Sequence, residues 1–246
     1  MRLQNKVAIV TGGGSGMGEA IAKTYAREGA RVAVIDVDGA AAGKVAKEIG
    51  QGAIAVPCNV VKRSDIDAAV AETVKAFGGL DVLVNNAGVA HLNKPMLDID
   101  EAEFDRVFAV NVKGLFMFSQ AAVPVMRGKG GVIVNIGSTA GIRPRPGLSA
   151  YNATKGAVHN LTKTLAVELA PDKIRVVAIA PVATDTPLLP TFLGPAPGMR
   201  EKFIATVPLG RLATAQDIAD TALFLASEDA KFLTGNIMEV DGGRCV

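Results

Sequence analysis

The chain has 246 residues and a formal net charge of +2, and 49% of its residues are apolar against 20% charged. This length and composition fit one large globular domain, and no stretch is polar enough to predict disorder. The net charge is small and like charges do not form runs, which argues against nucleic acid or an anionic membrane as a partner.

The cysteine and histidine content further limits the kinds of site that the protein can carry. Cys58 and Cys245 have no partner at metal-ligand or redox-motif spacing, and the chain has only two histidines. We therefore expect neither a metal site nor a disulfide framework. The first strand pattern begins at Lys6, which leaves no room for a signal peptide, and no apolar run approaches the ~18 residues of a membrane span. These features predict a cytoplasmic protein that acts on a small molecule.

Short apolar strands alternate with helical patterns along the whole chain. The strand patterns cover residues 6–10, 31–36, 53–57, 81–84, 132–136, 174–179 and 237–240. The helical patterns cover residues 17–28, 40–49, 64–77, 101–126 and 215–226, with Ser64 as the expected N-cap of the third and a further helix beginning near Tyr151. This alternation predicts a parallel sheet covered by helices on both faces, a doubly wound α/β fold with about seven parallel strands.

A glycine-rich turn joins the first strand to the first helix and reads T-G-G-G-S-G-M-G from Thr11 to Gly18. Strand, glycine turn and helix together form the context of a phosphate-binding loop. Glycine lets the backbone turn tightly and approach a pyrophosphate, which the helix N-terminus also attracts. We predict a dinucleotide contact here, made by Gly12, Ser15, Gly16, Met17 and Gly18.

The second strand ends on the carboxylate of Asp36. An acidic residue at this position of a dinucleotide-binding fold accepts hydrogen bonds from the adenosine ribose and repels a 2′-phosphate. Val37 follows, where an NADP-binding protein could carry an arginine. Asp36 and Val37 therefore predict NAD as the cofactor rather than NADP.

A hydroxyl, a phenol and an amine stand close together in the stretch from Gly137 to Gly156. Ser138 follows a strand pattern, and Tyr151 and Lys155 begin the next helix. Residues four apart share a helix face, so Lys155 should place its ammonium beside the Tyr151 ring. A nearby cation favours the phenolate, and we expect the Tyr151 pKa to fall from about 10 toward neutrality, where it can serve as an acid and base.

This serine and the Tyr-x-x-x-Lys pattern resemble the active site of the short-chain dehydrogenase/reductase family, and the resemblance extends over the whole chain. It implies one Rossmann-type domain over residues 1–246 and catalysis by Ser138, Tyr151 and Lys155, with Asn111 holding a water in the proton path. Ser15 is not basic, whereas phosphate-binding relatives often carry Arg or Lys there. The family usually forms tetramers, so we expect a homotetramer.

The resemblance also implies further cofactor contacts. Asn86, Ala87 and Gly88 match a family motif beneath the adenosine ribose. Asn59 and Val60 stand where the family has an Asp-Val pair at the adenine, and an asparagine oxygen can still accept a hydrogen bond. Near the nicotinamide the family has Pro-Gly and a threonine. Here Pro181 is kept, Thr186 matches by spacing, and Thr184 is the alternative. Val182 replaces the glycine, and valine tolerates a positive φ angle poorly.

The substrate is less well defined by the sequence. Residues 187–205 are rich in Pro, Gly and apolar side chains, which predicts a lid over the substrate. Candidate substrate contacts are Ser138, His91, Arg145 and Leu188. Arg143 and Arg145 suggest an anionic or hydroxyl-rich substrate and the lid suggests an apolar one. We favour a mid-sized, partly apolar alcohol, with a sugar or polyol as the alternative.

These observations predict an NAD-dependent oxidoreductase that interconverts a secondary alcohol and a ketone. One alternative is a ketoacyl-thioester reductase of the same family that uses NADPH, which Asp36 argues against. The other is a dinucleotide-binding sensor without turnover, which the complete set of catalytic residues disfavours.

Overall fold

The computed structural model describes residues 1–194 and 197–246. In this part of the chain one parallel sheet of seven strands has the order β3-β2-β1-β4-β5-β6-β7. The strands are β1 (Val7–Thr11), β2 (Arg31–Asp36), β3 (Ala53–Pro57), β4 (Val82–Asn85), β5 (Gly131–Ile136), β6 (Ile174–Pro181) and β7 (Ile237–Val240). The predicted doubly wound sheet is confirmed. Strand order reverses between β1 and β4, where such folds open a crevice at the carboxyl ends of the strands.

Helices cover both faces of this sheet. They are α1 (Gly16–Arg27), α2 (Gly39–Ile49), α3 (Arg63–Phe77), α4 (Glu101–Phe108), a π-helical segment (Ala109–Gly114), α5 (Leu115–Met126), α6 (Ser149–Leu169), α7 (Leu189–Leu193), α8 (Met199–Ile204) and α9 (Ala215–Ala226). Short 3₁₀ turns lie at Met96–Asp98, Thr139–Gly141, Ala170–Asp172 and Glu228–Ala230.

Most element boundaries match the sequence patterns, but the cap of α3 does not. Helix α3 begins at Arg63 with Lys62 at the N-cap, so the prediction of Ser64 as N-cap is wrong. The Ser64 hydroxyl lies 3.4 Å from the Asp65 carboxylate, and that carboxylate accepts the Asn59 amide at 3.1 Å instead. Asp65 thus ties the start of α3 to the preceding loop, and the N-cap residue Lys62 makes no side-chain capping bond.

The strands are buried on both faces, which explains their continuous apolar runs. Along β1, Ala8 and Val10 pack in the core with α1, α2 and α9, while Val7 and Ile9 pack on the opposite face with α3 and α5. The Tyr25 hydroxyl of α1 donates a 3.0 Å hydrogen bond to a carbonyl oxygen of α9. The sheet is therefore packed between two helical layers.

The predicted helix over residues 101–126 is a single helical segment with a π-helical middle. Contrary to our expectation, Glu101–Met126 is long and apolar enough to qualify as a membrane span, the one such candidate found among the described residues. In its most apolar window 44% of the residues are buried inside the protein, and it packs on α3 and α6. The segment is therefore partly covered by neighbouring helices of the same chain.

The segment expected to form a lid contains helices α7 and α8. Of this segment, Pro195 and Ala196 lie outside the described residues. Leu189 and Leu193 of α7 and Phe203 of α8 turn their side chains into the core. Arg200 of α8 forms a bidentate ion pair with Asp185, at 2.6 and 3.2 Å, which ties the segment to the loop after β6.

Candidate active site

A cavity of about 480 Å³ opens at the carboxyl ends of the strands, where the strand order reverses. Its lining includes nearly all of the residues predicted from the sequence: Gly12, Ser15, Gly16, Met17, Asp36, Val37, Asn59, Val60, Asn86, Ala87, Gly88, Ser138, Arg145, Tyr151, Lys155, Pro181, Thr184, Thr186 and Leu188. Gly18, His91 and Asn111 are absent from this lining. The fold thus gathers segments from six loops into one site.

The glycine turn lies at one end of the cavity, at the N-terminus of α1. Gly12 and Gly16 have φ angles of +62° and +55°, which favour glycine. Gly18 instead lies under the loop, where a Cβ atom would overlap the carbonyl oxygen of Gly12 and approach the Asn86 amide at 2.6 Å. Gly18 therefore allows close packing of helix against strand, while the other glycines leave the backbone open to a ligand.

The carboxylate of Asp36 is fixed at the cavity edge. One oxygen accepts the Gly14 amide at 2.9 Å, and the other accepts the Asp38 amide at 3.0 Å. The neighbouring Val37 side chain is 72% exposed. The acidic group predicted to contact a ribose is therefore held in place beside an exposed apolar surface.

The segment from Asn86 to Gly88 supports the glycine turn. The Asn86 side chain donates to the carbonyl oxygens of Thr11 and Gly12 at 2.8 and 3.0 Å, and the Thr11 hydroxyl accepts the amides of Asn86 and Ala87. The Asn86 Oδ1 atom is buried with no partner among the described residues. These contacts give the motif a structural role in addition to its place in the cavity lining.

Asn59 and Val60 lie in the loop after β3. The Asn59 side-chain oxygen accepts the Val61 amide at 3.2 Å, so it stabilises its own turn. Val60 packs against Gly114, where a Cβ atom would lie 2.9 Å from the Val60 carbonyl oxygen. The oxygen that we expected to serve an adenine ring is thus already bonded within the protein.

Ser138, Tyr151 and Lys155 converge at the other end of the cavity. The Lys155 ammonium nitrogen lies 5.6 Å from the centroid of the Tyr151 ring, as the helical spacing predicts. It donates a 2.8 Å hydrogen bond to the Ile136 carbonyl oxygen at the end of β5. The Ser138 hydroxyl oxygen accepts the Ala140 amide at 3.0 Å, so its own proton can be donated to Tyr151 or to a substrate oxygen.

The prediction that the Tyr151 pKa falls toward neutrality is wrong. Burial raises the pKa of Tyr151 to about 12, although a hydrogen bond with Ser138 acts in the opposite direction. Burial also lowers the pKa of Lys155 to about 8. Both changes have one cause, because a site that excludes water disfavours the charged form of each group. Helical spacing alone could not reveal this burial.

Asn111 lies in the π-helical segment beside the site, with its side chain fully bonded. Its Oδ1 accepts the Val89 amide at 2.8 Å, and its Nδ2 donates to the Val89 carbonyl and the Thr154 hydroxyl at 2.9 and 3.1 Å. The side chain therefore joins the loop after β4 to α6, which carries Tyr151. π-helical turns are frequently found at functional sites.

His91 does not face the cavity, so it is not the substrate contact that we expected. Its side chain is 1% exposed, and its Nδ1 lies 2.8 Å from the Leu92 carbonyl oxygen. The Nε2 atom is buried with no partner among the described residues. The loop folds back on the protein and turns this ring inward, which the sequence does not reveal.

His159 was not identified from the sequence, yet it lies directly behind Ser138. Its Nε2 is 3.5 Å from the Ser138 amide, and a Cβ atom on Gly137 would approach its Cδ2 to 2.7 Å. Burial lowers the pKa of His159 to about 4, with smaller contributions from Lys155 and Lys163. A neutral ring therefore supports the serine backbone. The sequence signal that could have identified His159 is its position one helical turn after Lys155 on the same helix.

The loop after β6 carries Val182 and the two candidate threonines, Thr184 and Thr186. Val182 has no positive φ angle, so replacing the family glycine causes no backbone strain. The Thr184 hydroxyl donates to the Val182 carbonyl at 2.9 Å, whereas the Thr186 hydroxyl has only a weak 3.4 Å contact with Thr184. The Thr186 methyl group lies about 3.4 Å from where a Gly16 Cβ would be. Thr186 is therefore the freer donor and faces the glycine turn.

Phe192, Phe203 and Arg244 complete the substrate end of the cavity. The Phe192 ring of α7 lies 4.9 Å from the Tyr151 ring, centroid to centroid. Arg244 comes from the C-terminal end of the chain and was not identified from the sequence, because only folding brings it beside the loop that follows β5. The structure thus adds a cation to the two arginines noted in that loop.

The residues present fit a nicotinamide dinucleotide. Positive-φ glycines open the N-terminus of α1, a carboxylate stands at the end of β2, and the Ser, Tyr and Lys side chains lie across the strand ends. Together with the sheet topology, they define a nucleotide-binding oxidoreductase of the Rossmann type.

Comparison with known proteins agrees with this class. A family model described as "Enoyl-(Acyl carrier protein) reductase" matches residues 12–244. The chain is 45% identical to 4-formylbenzenesulfonate dehydrogenase TsaC1/TsaC2 of Comamonas testosteroni, with 99% of each chain covered. It is 42% identical to 2-(S)-hydroxypropyl-CoM dehydrogenase 3 of Xanthobacter autotrophicus, covering 98% of this chain and 97% of the relative.

A solved structure shows the same fold. The 3-ketoacyl-(acyl-carrier-protein) reductase from Brucella melitensis complexed with NADH superposes with a TM-score of 0.95 at 46% identity, covering 99% of this chain and 100% of that one. The chain belongs to the short-chain dehydrogenase/reductase family and is an oxidoreductase that binds a nicotinamide cofactor.

Proposed function

We propose that the protein is an NAD-dependent dehydrogenase that interconverts a secondary alcohol and a ketone. The observation that carries the proposal is the convergence of Ser138, Tyr151 and Lys155 in the cavity whose other end holds Asp36. When bound, NAD supplies the hydride chemistry, accepting a hydride from the alcohol carbon or returning it to the ketone. The protein supplies orientation, hydrogen bonds and a proton.

Each residue has a defined task in the proton transfer. The Ser138 hydroxyl donates a hydrogen bond to the substrate oxygen. Tyr151 takes the hydroxyl proton of the alcohol during oxidation and returns it during reduction. Lys155 lies beside the phenol and binds the nicotinamide ribose. Asn111 holds the loop after β4 against α6, and we propose that it also supports the water in the proton path.

Cofactor selection rests on Asp36. Its carboxylate is fixed by two backbone amides and would repel a 2′-phosphate. Gly12, Ser15, Gly16 and Met17 would bind the pyrophosphate. The remaining contacts that we propose are with Val37, Asn59, Val60, Asn86, Ala87, Gly88, Pro181, Thr184 and Thr186.

The proposal is tested by following NADH absorbance with secondary alcohols, polyols and the corresponding ketones, in parallel with NAD and NADP. We expect turnover in both directions and a preference for NAD. Turnover only with NADP(H) would contradict the assignment of Asp36. A 3-ketoacyl thioester belongs in the panel because the Brucella melitensis protein is named a 3-ketoacyl-(acyl-carrier-protein) reductase. Strong reduction of that thioester with NADPH would favour the alternative function, a ketoacyl-thioester reductase that uses NADPH.

We also propose that residues 187–205 act as a lid and that Leu188 contacts the substrate. Phe192 touches the Tyr151 ring, and Leu188 lines the cavity, so closure of this segment would exclude water from the reacting atoms. A Phe192→Ala variant should raise the KM of an apolar alcohol. An unchanged KM would argue against the lid.

We further propose a cytoplasmic homotetramer that binds neither nucleic acid nor membranes. Phe104, Phe116 and Val167 expose large apolar side chains on α4, α5 and α6, the helices through which the family usually associates. Light scattering on the purified protein should give four times the monomer mass. A monomer at micromolar concentration would contradict this state.

A further inference from the structure

We propose that the substrate carries an oxyanion, a carboxylate or sulfonate, that binds the guanidinium group of Arg145 with Arg143 and Arg244 beside it. This inference rests on the proposed dehydrogenase function and specifies its substrate class. It narrows our preference for a mid-sized, partly apolar alcohol to one that also carries an anionic group, because Arg145 is half-buried against the Phe203 ring.

The charges of the cavity lining are strongly unequal. Among the described lining residues the cations are Arg143, Arg145, Lys155 and Arg244, and the one carboxylate is that of Asp36. Asp36 lies at the end of β2, where backbone amides already occupy its oxygens. The three arginines therefore face no carboxylate within the described lining, and the substrate end of the cavity is positive.

Arg145 is placed to bind a ligand. Its guanidinium carbon lies 4.8 Å from the centroid of the Phe203 ring, and the residue is half-buried. This guanidinium makes neither a hydrogen bond nor an ion pair with any residue in the described part of the chain, although it carries five N–H donors. Burial lowers the pKa of Arg145, and the nearby Arg244 lowers it further. An oxyanion would satisfy these donors with charge-assisted hydrogen bonds.

Arg244 brackets the same aromatic ring. Its guanidinium carbon lies 5.0 Å from the Phe203 centroid, and its Nε donates to the Thr206 hydroxyl at 3.2 Å. Arg143 donates to the Arg244 carbonyl oxygen. Burial and Arg143 lower the pKa of Arg244, while Asp241 and Cys245 act in the opposite direction. The cluster thus concentrates positive charge around one phenyl ring, and an anion would relieve the repulsion between its members.

This cluster is adjacent to the reacting atoms. The Arg145 carbonyl accepts a 2.8 Å hydrogen bond from Asn152, which directly follows Tyr151. Phe192 contacts the Tyr151 ring, and Phe203 belongs to the same lid segment. A fitting substrate has its alcohol at Tyr151, an apolar or aromatic body against the two phenyl rings, and its anionic group at Arg145. A polyol could accept hydrogen bonds from one arginine but would leave the charge of the cluster uncompensated.

The decisive experiment compares alcohols that differ only in charge. The pairs are 4-(1-hydroxyethyl)benzoate with its methyl ester, and 4-(1-hydroxyethyl)benzenesulfonate with its N,N-dimethylsulfonamide. We expect kcat/KM with NAD to favour the anionic member by about tenfold or more, the value of one charge-assisted contact. Arg145→Met should lower the anionic member's kcat/KM by about tenfold more than the neutral one's, and Arg145→Lys should restore part of the difference.

The matched control is Arg127→Met, which removes an exposed arginine that pairs with Asp172 away from the cavity. It should leave the ratio between anionic and neutral substrates unchanged. Equal use of both members by the unmodified protein, or an equal loss for both members in Arg145→Met, would overturn the proposal.

A binding measurement separates this inference from the proposed function. Benzoate should raise the melting temperature of the NADH-saturated protein, benzamide should not, and Arg145→Met should abolish the benzoate effect. If that pattern appears but no alcohol or ketone is turned over, the anion site stands and the dehydrogenase proposal fails. If neutral alcohols are turned over and benzoate has no effect, the dehydrogenase stands and the anion site is refuted.

Discussion

Tyr151 and Lys155 lie one helical turn apart, with the ammonium nitrogen 5.6 Å from the phenol ring centroid and anchored to the Ile136 carbonyl. Both side chains are buried, and this burial raises the pKa of the phenol to about 12 while it lowers that of the amine to about 8. At neutral pH the phenol therefore holds its proton. That form can donate to a ketone, whereas oxidation of an alcohol needs the phenolate.

This relationship predicts different pH dependences for the two directions. The rate of alcohol oxidation should rise as pH increases above neutrality, because the fraction of Tyr151 phenolate grows toward its pKa. The rate of ketone reduction should change little up to about pH 10, because a phenol with a pKa of about 12 keeps its proton over that range. Initial rates measured in both directions from pH 6 to about 10 check this, and an oxidation rate that falls across that range would contradict it.

Asp36 should control the choice between the two dinucleotides. Replacing Asp36 with Asn removes the negative charge that would repel a 2′-phosphate but keeps an oxygen that can accept the Gly14 amide. We expect the NAD over NADP preference in kcat/KM to fall by about tenfold or more. The exposed Asp67, which pairs with Arg63 on α3, gives the control variant Asp67→Asn. An unaltered cofactor preference in Asp36→Asn would refute the assignment.

Because Gly18 is closely packed, we expect that adding a single methyl group there destabilises the protein strongly. A methyl group there would overlap the Gly12 carbonyl, and neither backbone segment can move freely. Gly18→Ala should lower the free energy of unfolding by about 2 kcal/mol or more and weaken NADH binding. The matched control is Gly43→Ala in α2, where nothing lies within 4 Å of the added atom.

In Gly43→Ala we expect a gain of about 0.5–1 kcal/mol, because alanine favours the helix. Urea unfolding of both variants measures the two values. Equal stability of the two variants would show that the contact between α1 and β1 is looser than the structure indicates.

His159 should make stability depend on pH in mildly acidic solution. Burial holds its pKa at about 4, below its usual value of 6.5. Between these two values the unfolded chain binds more protons than the folded one, so the ring's contribution to stability falls as pH falls. His159→Gln should lose this component, on the order of 2 kcal/mol between pH 6.5 and 4. Unfolding curves of both proteins across that range measure the difference, and parallel pH profiles would contradict the burial of a neutral ring.

The sequence predicts the fold and most of the cavity lining for a simple physical reason. Strands such as β2 and β3 are short apolar runs bounded by turn residues, so local pattern and final structure coincide. The spacing of Tyr151 and Lys155 is likewise local, because four residues on a helix always share a face. Gly12 and Gly16 are recognised by their place between a strand and a helix.

The sequence-based predictions that are wrong concern properties that tertiary packing determines. The pKa of Tyr151 depends on how completely other segments cover it, and the inward turn of His91 depends on how its loop closes. Arg143 and Arg244 are 101 positions apart in the chain and meet only in the folded protein. No local pattern contains that encounter, so the sequence identifies Arg143 and Arg145 but only the structure places Arg244 beside them.

The central claim is that Tyr151 transfers the proton while NAD exchanges the hydride. The most direct measurement is a single-turnover reaction of excess protein with NAD and a competent alcohol, followed by NADH absorbance, in the unmodified protein and in Tyr151→Phe. Loss of the phenol should slow NADH formation by a factor of about 10²–10⁴ while NADH binding, measured by its fluorescence, stays within about twofold. NADH formation by Tyr151→Phe at a rate close to that of the unmodified protein would contradict this mechanism.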